Sequence, residues 1–215
     1  DNAQVEIAAY TRGEKRLNSA YGFDFLYAPE LTPAVVAEVL EKWSGSGRRG
    51  GWPSWAFENH DAPRAVSRWC EPQDADRFAR VKMALLLALR GNVILYQGEE
   101  LGLRQDAIPF EQLQDPEAIA NWPMTLGRDG ARTPMPWRSD APEGGFTSGK
   151  PWLPLSHQNL ALAVATQQAD SASQLRETQH LLALRRDNAA LRIGRIENVV
   201  AKGTLLAFDR VAPNQ

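Results

Sequence analysis

The sequence predicts an α/β fold that ends in a β hairpin. Short apolar segments typical of strands alternate along the chain with segments whose apolar residues recur at helical spacing. Two of the strand-like segments are followed directly by clusters of polar residues, at 58–61 and at 97–100. Because ligands bind at the carboxyl ends of strands in parallel sheets and barrels, these clusters are candidates for a functional site.

The composition is that of an ordinary globular protein. Of 215 residues, 43% are hydrophobic and 23% are charged, and the formal net charge is −2. This mixed, nearly neutral charge argues against nucleic acids and anionic membranes as partners. No apolar run approaches the ~20 residues that a membrane helix needs, so we expect no membrane partner either.

The single cysteine, Cys70, cannot form an internal disulfide, which fits a reducing compartment. The chain begins at Asp1 rather than at a methionine, and no charged-then-apolar targeting segment follows. We therefore expect a cytoplasmic location, and we expect both ends of the sequence to lie within a longer protein.

The first predicted elements are a strand over residues 21–27 and a helix that begins at Pro33. Residues 1–20 show no strong period. Residues 21–27 alternate aromatic with small or polar side chains, as a strand does. Thr32 is a suitable N-cap, and Pro33 is tolerated in the first turn of a helix.

The central strand is predicted around Trp55 and Phe57, with Pro63 preventing its continuation. A second helix follows, with Asp74 as its N-cap and Gly91 after its end. Its predicted apolar stripe consists of Phe78, Val81, Leu85 and Leu89.

Residues 92–96 form a short, fully apolar segment typical of a buried parallel strand. The region that follows holds eight of the 14 prolines between residues 104 and 156 and has no sustained period. A loop this long within a compact domain is usually functional or disordered. Because several tryptophans lie in or near it, we expect an ordered, substrate-facing loop over residues 104–170.

The last predicted elements are a helix and a hairpin. Ser171 and Gln174 have the spacing of a capping box, and the helix is expected to continue through Arg186. Strands at 195–201 and 204–210 are expected to be joined at Lys202 and Gly203. Three parallel strands are too few for a complete eight-stranded barrel but would form its closing part.

Three segments carry a family resemblance: SWAFENHDAPRAVSRW, NVILYQGEELGL and GRDGARTPMPW. In order and spacing they resemble the α-amylase superfamily, glycoside hydrolase family 13, and within it the bacterial α-glucosidase and oligo-1,6-glucosidase group. The resemblance implies that residues 1–192 are the carboxyl-terminal portion of a (β/α)8 TIM barrel. It implies that residues 193–215 begin an antiparallel β C-terminal domain.

The same resemblance implies a retaining α-glucosidase that releases glucose from the non-reducing end of short α-glucosides, with no cofactor and no metal site in this chain. Asp61 corresponds to the family's third catalytic carboxylate, which holds the 2- and 3-hydroxyls of the sugar and stabilises the transition state. His60 would bind the same sugar. Arg128 matches the arginine that pairs with an amino-terminal aspartate and binds the 4-hydroxyl of the terminal sugar.

The sequence departs from the family pattern in one large respect. The family's nucleophilic aspartate and general-acid glutamate would both fall before the first residue, so the catalytic site is incomplete and the isolated chain is expected to be inactive. Glu99 or Glu100 could be proposed as a replacement acid, but YQGEELG is a structural strand end in the family. Arg64 and Arg68 are expected to be ion-pair partners rather than substrate contacts.

Other functions remain open at this stage. A sucrose isomerase or a glucosyltransferase of the same superfamily would share most of these residues, although TPMPW is more similar to the hydrolytic members than to those with TPMQW. A non-catalytic interaction subunit built on the same barrel is disfavoured by intact His60, Asp61 and Arg128. From the residues alone, Asn59, His60 and Asp61 could also form an Asx-type turn with a structural histidine. The preference between α-1,4 and α-1,6 linkages is set largely near the nucleophile, outside this sequence.

Overall fold

The computed structural model describes residues 3–11, 13, 15–45, 52–125 and 127–212. The chain divides into two compact units. The first unit consists of Asp1–Phe57, Ala84–Ile94 and Leu181–Gln215, and the second of Glu58–Met83 and Leu95–His180.

The first unit contains a three-stranded parallel sheet. Its strands β1 (Ala20–Gly22), β2 (Pro53–Trp55) and β3 (Asn92–Val93) lie in the order β1-β2-β3. The helix α2 (Pro33–Gly45) lies between β1 and β2 along the chain, and α4 (Ala75–Ala88) lies between β2 and β3. This strand–helix alternation is what parallel pairing requires, because parallel strands need long crossover connections.

The aromatic core of the first unit surrounds Trp55. Phe25 and Trp43 meet its ring edge-on, with centroids 5.1 Å and 5.0 Å away, and Phe25 also meets Phe57 at 5.2 Å. The indole nitrogen of Trp55 donates to the carbonyl of Arg90 at 2.7 Å. Such edge-to-face contacts are the preferred geometry for aromatic pairs.

The predicted strand over residues 21–27 is too long. The strand β1 ends at Gly22, and residues 24–27 form a turn. The backbone N–H of Tyr27 donates to the carbonyl of Phe23 at 3.4 Å, and that of Ala28 donates to the carbonyl of Phe25 at 3.2 Å, so these residues close a turn instead of pairing with β2.

Two helices begin the first unit, and only one of them was predicted. The helix α1 (Ala3–Thr11) lies in the stretch without a strong period, and the hydroxyl of Thr11 donates to the carbonyl of Ile7 at 2.8 Å. The prediction for α2 is confirmed: it starts at Pro33, and the hydroxyl oxygen of Thr32 accepts from the backbone N–H of Val35 at 3.3 Å.

Helix α4 begins directly after Asp74, as predicted, but its predicted apolar stripe is buried only in part. Leu89 has no exposed surface. Val81, a member of the predicted stripe, is 65% exposed, whereas Lys82 has no exposed surface. The buried residues of the helix are Ala75, Ala79, Lys82, Met83, Leu86 and Leu87. The helix therefore buries a cation at a position that hydrophobic periodicity cannot identify.

The hairpin is confirmed to within a residue. Its strands β4 (Arg195–Lys202) and β5 (Leu205–Val211) are antiparallel, and Gly203 has a φ of +58°, a left-handed conformation suited to glycine. It follows the short helix α8 (Ala189–Ile193). Arg210 of β5 donates to the carbonyls of Ala88, Leu191 and Gly194 and so anchors the hairpin within the first unit. The domain boundary at residue 193 stays a prediction.

The second unit holds the long loop, whose described residues form short helices and 3-10 segments. Its helices are α3 (Ala65–Trp69), the first part of α4, α5 (Pro116–Asn121), α6 (Val164–Ala169) and the first part of α7 (Gln174–Asp187). Single 3-10 turns occur at Pro72–Asp74, Glu99–Leu101, Phe110–Gln112, Asp129–Ala131, Pro142–Gly145 and His157–Leu162. The start of α7 is capped by Ser173, not by the predicted Ser171, since the Ser173 hydroxyl accepts from Arg176 N–H at 3.3 Å.

Parallel β–α–β connections followed by an antiparallel hairpin confirm the predicted α/β architecture with a β appendage. Among the helices of the described residues, none is both long enough and apolar enough to cross a membrane.

Candidate active site

Residues 58–61 follow strand β2 in the chain and present two polar side chains to solvent. The side-chain oxygen of Asn59 accepts from the backbone N–H groups of Asp61 and Ala62, both at 2.8 Å, which forms an Asx turn. The expected turn is therefore present. His60 is not a packed structural residue, because its side chain is 65% exposed, and that of Asp61 is 38% exposed.

The carboxylate of Asp61 lies among three cationic or potentially cationic side chains. Its Oδ1 accepts from Arg128 Nη1 at 3.3 Å and from Arg132 Nη2 at 3.1 Å. Its Oδ2 lies 3.3 Å from His60 Nε2. The structure thus brings together the three residues expected from the sequence, His60, Asp61 and Arg128, and adds Arg132.

Arg132 also fixes the turn itself, since its Nε donates to the carbonyl of His60 at 2.8 Å. Sequence reasoning missed this residue although it lies in the same motif, GRDGARTPMPW. The signal that could have identified it is its spacing of four residues from Arg128. The 3-10 turn Asp129–Ala131 lies between the two arginines and brings their side chains to the same side. Both guanidinium groups thereby reach one carboxylate.

Arg128 has a second and stronger acidic partner, Asp115. Its Nε donates to Asp115 Oδ2 at 2.9 Å and its Nη2 to Asp115 Oδ1 at 2.7 Å, so the pair is bidentate. The side chain of Asp115 has no exposed surface, whereas that of Arg128 is 34% exposed. These hydrogen bonds from Arg128 hold the pKa of Asp115 well below its usual range, and in turn they raise the pKa of Arg128.

Asp115 was not identified from the sequence, although it is followed by Pro116 at the start of a helix. Its carboxylate also accepts from the backbone N–H of Glu117 at 3.2 Å and so caps α5. An Asp-Pro pair at the start of a helix predicts an N-cap. The sequence of this loop has no periodic pattern, and nothing in it predicts that the same carboxylate binds an arginine 13 residues later.

Two glycines frame Arg128 and Asp129 in the GRDG segment. Gly127 has a φ of +63°, and a Cβ on it would overlap the side chain of Ala118 and lie 2.9 Å from Asp115 Oδ2. A Cβ on Gly130 would overlap the carbonyl of Asp106. No side chain fits on either side of the pair, so the glycines permit the close approach that holds Arg128 in place.

A buried cluster of four charged residues lies behind the site: Glu58, Arg64, Lys82 and Glu99. Lys82 Nζ lies 2.9 Å from Glu58 Oε1 and 2.6 Å from Glu99 Oε1, and Arg64 Nη1 lies 3.2 Å from Glu58 Oε2. None of the four side chains is more than 2% exposed. Arg64 is therefore an ion-pair partner, as expected.

Arg64 also ties the cluster to the segment that carries the site arginines. Its Nη2 donates to the carbonyl of Ala131 at 3.0 Å, and its Nη1 donates to that of Gln97 at 2.6 Å. The hydroxyl of Tyr96 donates to the same Ala131 carbonyl at 3.2 Å. The buried cluster is thus hydrogen-bonded to the backbone between Arg128 and Arg132.

The pKa values of the two buried carboxylates, Glu58 and Glu99, are shifted in opposite directions. Burial alone would raise the pKa of Glu58, but Lys82 and Arg64 together lower it. Burial raises the pKa of Glu99, and Lys82 offsets this only in part. Because Glu99 is fully buried against Lys82, it cannot reach a sugar, which agrees with its expected structural role.

Among the described residues, no group of three or more His, Cys, Asp or Glu side chains could hold a metal ion.

The chain is similar in sequence and in fold to proteins of one family. The family model described as "Alpha amylase, catalytic domain" matches residues 13–194. A "Probable alpha-glucosidase" of Rhizobium meliloti is 46% identical over 213 residues, which cover 98% of this chain and 38% of that relative. An "Oligo-1,6-glucosidase" of Halalkalibacterium halodurans is 32% identical over 219 residues, covering 87% of this chain and 38% of that protein.

Among solved structures, an alpha-glucosyl transfer enzyme, XgtA, superimposes with a TM-score of 0.90 at 44% identity, covering 98% of this chain and 38% of that one. The chain belongs to the alpha-amylase catalytic-domain family, glycoside hydrolase family 13. The prediction of a partial (β/α)8 TIM barrel followed by antiparallel β structure is confirmed. The chain spans well under half the length of these relatives, 38% of each.

Proposed function

We propose that this chain is part of a retaining α-glucosidase that releases glucose from the non-reducing end of short α-glucosides, such as maltose-type oligosaccharides. The observation that carries the proposal is the Asp61 carboxylate, which is solvent-accessible and is oriented by Arg128, Arg132 and His60. The relatives named alpha-glucosidase and oligo-1,6-glucosidase support the same substrate class.

In this proposal Asp61 neither attacks nor donates a proton. A retaining glycosidase passes through a transition state in which positive charge develops near the anomeric carbon. A carboxylate fixed by two guanidinium groups would hold the hydroxyls of the distorted sugar ring and stabilise that charge. His60, which is exposed beside Asp61, would bind the same sugar, and Arg128 would bind its 4-hydroxyl. The nucleophile and the general acid would come from a part of the complete enzyme outside this sequence.

Glucosyl transfer is the second candidate, because the solved structure at 44% identity is named as an alpha-glucosyl transfer enzyme. Hydrolysis and transfer share the step in which the terminal glucose is bound and cleaved, and they differ in the acceptor. The roles proposed for Asp61, His60 and Arg128 are the same in both.

The test uses the complete enzyme with p-nitrophenyl α-glucoside and with maltose. We expect glucose release in wild type and a loss of more than about 10²–10³-fold in kcat for Asp61→Asn, the effect usual for one preorganised electrostatic group. Asp140→Asn is the matched control, since Asp140 pairs with Arg138 at the exposed surface. Wild-type enzyme that cleaves no α-glucoside would overturn the proposal. Products that carry glucose on an added alcohol acceptor would instead favour transfer.

A further inference from the structure

The buried carboxylate of Asp115 lies directly under Arg128 and is not expected to touch the substrate, because its side chain has no exposed surface. It accepts three hydrogen bonds from Arg128. Besides the bidentate pair from Nε and Nη2, the backbone N–H of Arg128 donates to Asp115 Oδ2 at 2.8 Å. One carboxylate thus fixes both the backbone and the side chain of the arginine.

The contact is reciprocal. Asp129, the neighbour of Arg128, is fully buried, and its Oδ2 accepts from the backbone N–H groups of Gln114 at 2.6 Å and Asp115 at 2.8 Å. Each of the two segments therefore contributes one carboxylate that binds the other segment. We call this arrangement of Gln114, Asp115, Arg128 and Asp129 the reciprocal clasp.

The clasp determines which part of the guanidinium group is available. A guanidinium carries five N–H groups, and its Nε/Nη2 edge is well suited to a bidentate carboxylate contact. Asp115 occupies that edge, so only Nη1 reaches Asp61, at the longer distance of 3.3 Å. Within the described residues, one N–H of Nη1 and one of Nη2 remain for the sugar or for the amino-terminal aspartate that the family resemblance implies.

Asp61 itself would be the competing partner. Arg128 lies between two carboxylates, one buried and one 38% exposed. If Asp115 lost its charge, the guanidinium could turn toward Asp61 and form a bidentate pair with it. That pair would occupy the carboxylate oxygens that the proposed function assigns to the hydroxyls of the sugar.

We propose that Asp115 is a positioning residue for substrate binding. It holds Arg128 in the orientation that binds the terminal sugar and prevents Arg128 from forming a bidentate ion pair with Asp61. This inference rests on the proposed function. It differs from a purely structural role, because the effect of Asp115 must pass through the side chain of Arg128.

A double-mutant cycle in the complete enzyme tests this dependence. We expect Asp115→Asn to raise KM and to lower kcat/KM about 10–100-fold, since a misplacement near 1 Å can cost about 10²-fold. In an Arg128→Ala background the same change should alter kcat/KM by less than about twofold, because the group it positions is absent. Equal losses in the two backgrounds would overturn the inference.

Two further variants complete the design. Asp140→Asn removes the partner of Arg138 at the exposed surface of the same loop and should leave kcat/KM unchanged. Should Asp115→Asn fail to fold, Asp129→Asn takes its place, because Asp129 holds Asp115 without touching the Arg128 side chain. Its loss should also vanish in the Arg128→Ala background. Wild-type enzyme inactive on α-glucosides would overturn the proposed function, whereas active enzyme with additive variants would overturn only the role of Asp115.

Discussion

Lys82 and Glu99 form an ion pair without exposed surface, with 2.6 Å between Nζ and Oε1. Glu58 shares the same ammonium group at 2.9 Å, and burial, which would lower the pKa of Lys82, is outweighed by these two carboxylates, so the pKa is raised. Lys82 and Arg64 together balance the charges of Glu58 and Glu99 where water cannot do so. A buried pair of this kind is costly to break, because the remaining charge is left without a partner.

We accordingly expect Lys82→Met to lower the free energy of unfolding by about 3–5 kcal/mol. Urea unfolding of the complete enzyme would measure it. Lys42→Met is the matched control, since Lys42 pairs with Glu38 at the same 2.6 Å, but with side chains 48% and 64% exposed. The control should leave the unfolding midpoint unchanged. Similar midpoints for both variants would show that the buried cluster contributes nothing to stability.

Arg128→Ala should raise KM and lower kcat on a normal α-glucoside, because the arginine would bind the sugar in ground and transition states alike. The loss should be much smaller on a 4-deoxy substrate, which lacks the hydroxyl that Arg128 is proposed to bind. Steady-state kinetics on the two substrates give the comparison, with Arg138→Ala as a control at an exposed pair. Equal losses on both substrates would make Arg128 a structural residue of the loop.

The isolated 215-residue chain should not turn over p-nitrophenyl α-glucoside or maltose. The proposed function places the nucleophile and the general acid elsewhere in the complete enzyme, and the buried pair with Lys82 removes Glu99 as a substitute. An assay of the purified chain checks this. Turnover that disappears with Asp61→Asn would contradict the prediction and would make Glu100 a candidate acid.

Acid should weaken the clasp in a defined pH range. Because Arg128 depresses the pKa of Asp115, the folded state binds fewer protons than the unfolded state below the ordinary aspartate value of about 3.9. The stability that this carboxylate contributes is thus fully present above that value and is lost progressively as the pH falls from it toward the depressed pKa of the folded state. Unfolding measured from pH 7 to pH 3 should show wild type more stable than Asp115→Asn at neutral pH and the difference shrinking below about pH 4. A difference that is constant with pH would refute the assignment.

The sequence predicted secondary structure correctly where apolar residues are periodic or where capping and turn residues mark the ends of an element. Helix α2 and the hairpin follow from Pro33 with its cap and from Gly203. Helix α1 was missed because its residues show no apolar period, and β1 was overextended because the aromatic alternation of residues 21–27 continues into a turn. The buried residues of α4 were predicted only in part, because Lys82 is placed by two carboxylates distant in sequence, not by hydrophobicity.

The residues of the candidate site also fall into those that the sequence identified and those that it did not. His60, Asp61 and Arg128 were identified because they lie in short segments that resemble a family motif. Arg132 was missed although it lies in the same motif as Arg128, and Asp115 was missed because its role depends on a contact between loop segments 13 residues apart in the chain. Such contacts leave no periodic trace in a sequence.

The two glycines beside Arg128 have a consequence for engineering substrate selectivity. Any side chain at Gly127 or Gly130 would collide with Ala118 or with the carbonyl of Asp106. A library that randomises this segment would therefore lose most of its members to misfolding before their selectivity could be screened. Diversity is better introduced outside this segment, at positions where an added side chain would meet no neighbouring backbone.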